Sequence, residues 1–255
     1  MDLDGFRASA HDLVDWMADY LGTIEQRSVR AQTPPGAVSA ALPPTPPVAA
    51  ENFATILSDF ERIVMPGMTH WQHPRFFAYF PANATPPSVL AEMLTAAIAA
   101  QCMLWQTSPA ATELETRCLD WLGQMLGLGN GWQGVIQDSA SSATLAAILV
   151  ARERATAWQS NERGLGAAPP LAVYASAEAH SSVEKAVRIA GLGGATLRRV
   201  PVDGDFAMRP DLLADAIAAD VEAGIVPACV VATLGTTGTG GVDPLRTIGA
   251  LCRQH

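Results

Sequence analysis

The chain has 255 residues, 49% of them hydrophobic, with a formal net charge of −9. That length and apolar content suffice for one large α/β domain or two small ones and exclude a disordered or fibrous chain. The acidic balance argues against a nucleic-acid or anionic-membrane surface, because either needs a basic patch, so a small molecule is the expected partner.

In chain order, Phe6, Ala10, Leu13, Val14, Met17, Tyr20 and Leu21 recur at helical spacing and predict an amphipathic helix. The N-terminus is acidic and leads straight into this pattern, unlike a signal peptide, and no apolar run is long enough for a membrane span. Six prolines between Thr33 and Pro47 predict an extended arm. A second helix is expected over Phe53 to Val64, stopped by Pro66 and Gly67. Two amphipathic helices on a stiff arm cannot easily cover each other's stripes, so a second subunit is expected against them.

The segment Thr69 to Pro81 is the densest in aromatic residues. His70 and His73 within it lack a nearby third ligand, so no metal is expected there. Proline-started helices are predicted from Pro86 to about Ala100 and from Pro109 to the glycines at Gly127 and Gly129. Gly129-Asn-Gly131-Trp-Gln-Gly134 matches the spacing G-x-G-x-x-G, but it precedes a predicted strand, Val135 to Gln137, where a dinucleotide fingerprint has to follow one.

A turn of small hydroxyl residues comes next, then a helix with Leu145, Ile148 and Leu149 on one face. Ser139, Ala140, Ser141 and Ser142 at its start present backbone N–H groups without bulky side chains, a seat for a phosphate; the alternative is that a serine there is simply an N-cap. Beyond it, strands at Leu171–Ser176, 195–200 and 227–234 alternate with helices from Ser181, Pro210 and Pro244. The first of these helices should open with a capping box, Ser181-x-x-Glu184, and bury Val183, Val187 and Ile189; the second should bury Leu213, Ile217 and Val221. Short apolar strands separated by helices predict a parallel sheet with helices on its faces, and ligands in such folds sit beyond the carboxyl ends of the strands. Three loops expected there carry chemistry: Ser139 to Ser142, Glu178 to Ser182 with His180, and Gly235-Thr236-Thr237. Cys102, Cys118, Cys229 and Cys252 form no C-x-x-C pair, which suits reduced thiols in a cytoplasm.

Five stretches together resemble the pyridoxal-phosphate-dependent group II amino-acid decarboxylases, and among them the aromatic-L-amino-acid decarboxylases. They are His73-Pro-Arg-Phe-Phe-Ala-Tyr-Phe-Pro81, Ser108-Pro-Ala-x-Thr-Glu-Leu-Glu115, Gly134-Val-Ile-Gln-x-Ser-Ala-Ser141, Ala179-His-Ser-Ser182 and Ala232-Thr-Leu-Gly-Thr-Thr-Gly238. The resemblance implies a fold-type I PLP-dependent transferase architecture, a mostly parallel α/β sheet flanked by helices. It divides the chain into an N-terminal helical dimerisation segment with its proline-rich arm, 1–85, and the first part of the large cofactor-binding domain, 86–255. It implies pyridoxal 5′-phosphate (PLP) held by Ser139, Ala140 and Ser141, with Thr236 helping to position it. His180 would stack on the ring beside the substrate carboxylate as the catalytic histidine. Trp71, Tyr79, Phe80, Pro81 and Ala82 would line the substrate pocket, and Met103 would reach the partner subunit's site. Ala82 stands where enzymes acting on catechols carry a hydroxyl residue, so indole or phenyl substrates are equally expected.

The implied reaction is decarboxylation of an aromatic L-amino acid by a cytoplasmic homodimer. Near alternatives are an acidic substrate or an amine-oxidising aldehyde synthase, and from another class a non-catalytic dimerisation module. One element is out of place. Lys185 is the only lysine in the chain and matches no family lysine, so the Schiff-base lysine is expected on a C-terminal segment outside this sequence, without which this part would be inactive.

Overall fold

A computed structural model describes residues 1–80, 84–129 and 131–255, and these fall into two compact units, residues 1–99 and 100–255.

The first unit opens with α1 (Leu3–Thr23), whose N-cap Asp2 accepts from Gly5 N–H at 2.8 Å. The proline arm is not extended throughout. Gly36, at φ +86°, turns the chain into the one-turn helix α2 (Ala37–Ala41), which lies between the proline pairs rather than on them. Helix α3 (Phe53–Asp59), capped by Asn52, continues through a π turn over Phe60–Val64 and ends in a 3₁₀ turn, Met65–Gly67, where Pro66 supplies no N–H. Trp16 of α1 meets this segment: its indole N–H donates to Glu61 at 2.6 Å and its ring meets Phe60 edge-on at 5.6 Å. Of the apolar stripe of α1, Phe6 and Val14 are exposed and the other five residues are half-buried. Helix α4 (Pro86–Ile98) begins at a reciprocal cap between Thr85 and Ser88.

The second unit holds α5 (Pro109–Met125), α6 (Ala140–Ala155), the short α7 (Ser160–Arg163) and a three-stranded sheet. Its strands are β1 (Leu171–Ser176), β2 (Leu197–Val200) and β3 (Val226–Val231), all parallel in the order β2-β1-β3. Strand β1 is buried at every residue, as a strand covered on both faces must be. The β1–β3 register shifts after Ala172 pairs with Pro227, the one residue of β3 with no N–H to give the ladder. One face of the sheet packs Ile148 of α6 and Ala186 and Val187 of α8 (Ser182–Ile189) against Val173. The other packs Leu213 and Ile217 of α9 (Pro210–Glu222) and Ile248 of α10 (Leu245–Cys252) against Ala172 and Tyr174.

This is the α/β arrangement the sequence predicts, with four corrections. Val135 to Gln137 is not a strand: no other strand among the described residues lies beside it, Val135 and Ile136 are exposed, and Ile136 N–H is held by the Glu115 carboxylate at 2.7 Å instead of a ladder. The box at Ser181 does not form, because the Glu184 carboxylate is taken by Arg188 and Arg199. Ile189 and Val221 face outward, while their neighbours Ala190 and Asp220 are the buried residues. Strand β2 starts two residues late, after a 3₁₀ turn over Gly194–Thr196, and β3 ends at Val231, before the loop that follows it.

Candidate cofactor site

At the start of α6, Ser139 is the N-cap: its hydroxyl oxygen accepts from Ser142 N–H at 3.2 Å and lies 3.1 Å from the Ser142 hydroxyl. The capping reading of that serine therefore holds, and it leaves the anion seat intact one position on. The N–H groups of Ala140 and Ser141 have no protein partner among the described residues, both residues are exposed, and neither side chain is large enough to cover them. Two free amides at the positive end of a 16-residue helix favour an anion.

The direction of α6 follows from its other end. Arg152 in its last turn donates to Ala190 O, the cap of α8, at 2.8 Å. Helix α8 starts just beyond the carboxyl end of β1 and runs back along the sheet. The two helices, packed side by side, therefore run the same way, and the amides of Ala140 and Ser141 open at the carboxyl end of the strands.

At that end, His180 sits four residues past β1. Ser182 N–H donates to its Nδ1 at 3.2 Å, with the Ser182 hydroxyl 3.0 Å away, so Nδ1 accepts and the neutral ring carries its proton on Nε2. The buried Ser182 thus fixes the tautomer and the ring's orientation while the rest of the imidazole is exposed. Ser176, at the end of β1, has its hydroxyl buried and without a partner, and it borders the same small cavity as His180.

Thr236 lies in the loop after β3 and is 1% exposed. Its hydroxyl is engaged within the loop, accepting from Gly241 N–H at 2.9 Å and meeting the Thr239 hydroxyl at 2.6 Å, so it shapes the loop rather than presenting itself to a ligand. A Cβ at Gly241 would fall 2.4 Å from the Phe206 carbonyl, so glycine is required there. The loop comes to the His180 loop: a Cβ at Gly238 would stand 4.0 Å from Glu178 Oε2.

Sequence reasoning missed Asp243, the loop's main anchor. It is 1% exposed, and its carboxylate accepts from Met208 N–H and Thr233 N–H, each at 2.7 Å. The only signal for it was an acid closing a glycine-rich run ahead of a proline. Beneath the sheet, Arg198 grips Asp220 with two nitrogens while the Tyr174 hydroxyl donates to it at 2.7 Å. Those bonds, from Arg198 first, hold the Asp220 carboxyl below its usual range despite burial. Burial, and then the neighbouring Asp220, push the Tyr174 hydroxyl far up, so it remains a donor at any working pH.

Of the expected substrate residues, Trp71 and Tyr79 come together in the first unit. The Trp71 ring stacks on Phe76 at 4.9 Å and on Tyr79 at 5.6 Å, and Tyr79 holds a left-handed backbone, φ +57°. Phe80 is exposed beside them in sequence, and Met103 is exposed in the second unit. Pro81 and Ala82 lie outside the described residues. His70 and His73 are both buried. The His70 Nδ1 meets the Tyr20 hydroxyl at 2.8 Å and the His73 Nδ1 accepts from Arg75 N–H at 3.0 Å, so each pins the base of the aromatic segment. Lys185 is exposed on α8.

The acids of the segment after Ser108 work locally. Glu113 accepts from the Trp105 indole at 2.9 Å, and Glu115 holds Ile136 N–H and so the approach to Ser139.

The chain is 45% identical to the aromatic-L-amino-acid decarboxylase of Bos taurus, an alignment covering all of this chain and 54% of that protein. It is 43% identical to the histidine decarboxylase of Drosophila melanogaster, covering all of this chain and 31% of that one. Its backbone superimposes with a TM-score of 0.92 and 34% identity on an Oryza sativa TDC crystallised with PLP and tryptamine, over 100% of this chain and 54% of that one. The chain spans about half the length of the curated aromatic-L-amino-acid decarboxylases it matches. The model of the pyridoxal-dependent decarboxylase conserved domain matches residues 35–255, and the chain belongs to that family.

Proposed function

We infer that this chain forms the phosphate-gripping part of a PLP-dependent carboxy-lyase that releases carbon dioxide from an aromatic L-amino acid. The observation that carries the reading is the pair of unpartnered amides at Ala140 and Ser141, opening at the same end of the sheet as His180. The residues fit the cofactor: an anion seat free of bulky side chains, a ring nitrogen fixed by Ser182, and a buried hydroxyl at Ser176 with no protein partner. PLP in that seat supplies an electron sink for the pair left behind when the carboxylate departs.

The chain's own residues have defined tasks in this scheme. Ala140 and Ser141, with Ser139 capping behind them, bind the phosphate. Thr236 and Asp243 hold the loop after β3 against the His180 loop. His180, with its tautomer set by Ser182, would stack on the pyridine ring beside the substrate carboxylate. Trp71, Tyr79, Phe80, Pro81 and Ala82 are assigned to the substrate side chain, and Met103 to the partner subunit's site. The names of the relatives support an aromatic substrate over an acidic one.

Lys185 is solvated on α8 and is not assigned to the cofactor. The Schiff-base lysine and the acid for the ring nitrogen are assigned to a C-terminal segment that extends the sheet, and turnover is assigned to a homodimer in the cytoplasm. Residues 1–85 act as the dimerisation segment and 86–255 as the first part of the cofactor domain. No helix among the described residues is long and apolar enough to cross a membrane.

Equilibrium dialysis of PLP against this chain tests the seat. Ser141→Asp places a carboxylate beside the free amides and is expected to weaken retention at least about tenfold; unchanged retention overturns the seat. Carbon dioxide release from L-tryptophan, L-tyrosine, L-histidine and L-glutamate, measured with the C-terminal segment supplied, tests the substrate. A preference for L-glutamate overturns the aromatic reading.

A further inference from the structure

The first unit contains a second concave feature that the decarboxylase reading does not use. Leaving the 3₁₀ turn Ile24–Gln26 at the end of α1, residues 27–33 are laid against residues 66–70. His70 N–H donates to Val29 O at 2.9 Å, Ala31 N–H to the Thr69 hydroxyl at 3.3 Å, and the Thr33 hydroxyl to Pro66 O at 2.8 Å. Between them lies a hollow of about 340 Å³ with a polar wall of Arg27, Ser28, Arg30 and His70 and an apolar wall that includes Met65 and Met68. That volume is in the range of small-molecule sites.

Its charge runs against the composition of the chain. With 25 acids to 16 bases overall, two arginines here meet a single carboxylate, Glu61, and that one is already held by the Trp16 indole. Neither Arg27 nor Arg30 enters an ion pair among the described residues. The Arg27 Nε is buried with no hydrogen-bond partner, while its guanidinium is fixed 5.0 Å over the Tyr20 ring. A buried guanidinium N–H without an acceptor is an arrangement that folded proteins rarely leave unsatisfied. A fork of this kind matches the two oxygens of a carboxylate or phosphate.

We propose that this hollow binds a small organic oxyanion, a carboxylate or phosphate whose head is held by Arg27 and Arg30 and whose apolar body lies on Met65 and Met68. The hollow shares no residue with the PLP seat. His70 is its reporter. The groups that face His70 are Arg27 and Arg30, Glu61, His73 and the Tyr20 hydroxyl. Burial first, then Arg27 and His73, hold its imidazole below the ordinary value, and an anion seated on the arginines reverses the field that Arg27 exerts.

The test is to titrate the chain with 3-phenylpropionate and, separately, with inorganic phosphate, following the His70 ring by NMR. Saturable binding of 3-phenylpropionate at least about tenfold tighter than phosphate, with an upward shift in the His70 titration, is expected. Arg30→Gln, at an exposed position, is expected to weaken both ions at least about tenfold. Met68→Gln is expected to abolish the preference for 3-phenylpropionate while sparing phosphate. A His70 ring that neither ion moves at about 10 mM, or equal affinity in Arg30→Gln, overturns the site. Equal affinity for the two ions overturns the apolar half of it. Retention of PLP is read independently, so either conclusion can fail without the other.

Discussion

Helix α9 turns Leu213 and Ile217 into the sheet, where they are 0% and 1% exposed. Helix α5 has the same proline-started, amphipathic design but leaves Leu114 61%, Trp121 50% and Met125 82% exposed. The pattern in each sequence specifies a helix with an apolar stripe, and nothing in the stripe specifies what covers it. For α9 the cover is the sheet: Ala172 and Tyr174 of β1 and Val200 of β2, which precede it in the chain, and Val230 of β3, which follows it within a few residues. For α5 no described element supplies it, and a stripe holding two large aromatic or thioether side chains is the kind of surface that associates. The C-terminal segment and the second subunit proposed above are the candidates for covering it.

The largest expected effect lies under the closed half. Asp220→Ala removes the acceptor shared by Arg198 and Tyr174, leaving the hydroxyl of a fully buried tyrosine unpaired and a partly buried guanidinium with only the Ala195 carbonyl. A loss of about 3–5 kcal/mol in urea-induced unfolding is expected. Because the folded Asp220 pKa is depressed, its contribution is present above the ordinary carboxylate range and lost as pH falls through the folded value. A loss below about 1 kcal/mol would mean that the network is a surface decoration.

The comparison of the two helices can be made directly. Leu213→Ala is expected to cost about 2–5 kcal/mol, the range for emptying a packed site. Leu122→Ala on α5, in the dilute chain alone, should stay within about 0.5 kcal/mol. Supplying the C-terminal segment should raise the second cost and leave the first unchanged. If Leu122→Ala is costly from the start, α5 is already covered in solution.

How much of this was legible depends on where each residue's partners lie. Strand β1 could be read to the residue, because a run of six apolar or small residues between Pro170 and the polar loop has one use in an alternating α/β pattern. Ser139 to Ser141 were legible because helix N-termini are local chemistry. Val135 to Gln137 was misread because a strand exists only beside another strand, and its neighbour is not among the described elements. The box at Ser181 failed for a similar reason: Glu184 is drawn off by Arg199, fifteen residues away. Asp243 was missed because its partners, the amides of Met208 and Thr233, lie 35 and 10 residues back along the chain. Asp243→Asn keeps one acceptor oxygen for two buried donors and is expected to cost about 1–3 kcal/mol. The same change should loosen the loop after β3, read as faster amide exchange at Gly241.

The smallest effect separates the two units by pH. The folded His70 pKa lies below its ordinary value of 6.5, with burial the leading cause and Arg27 and His73 adding to it. Between the two values the unfolded chain binds a proton that the folded one refuses, so stability from this group is full above about 6.5 and declines as pH falls below it, levelling off under the folded value. The carboxylate Asp220 enters only at lower pH, so the interval just below 6.5 reads His70 before Asp220. The expected result is a thermal midpoint flat above that pH and sloping beneath it, with the slope removed in His70→Gln. Persistence of the slope in that variant would place the titrating group elsewhere, and would leave the Tyr20 to His70 contact as a neutral hydrogen bond with no part in the acid response.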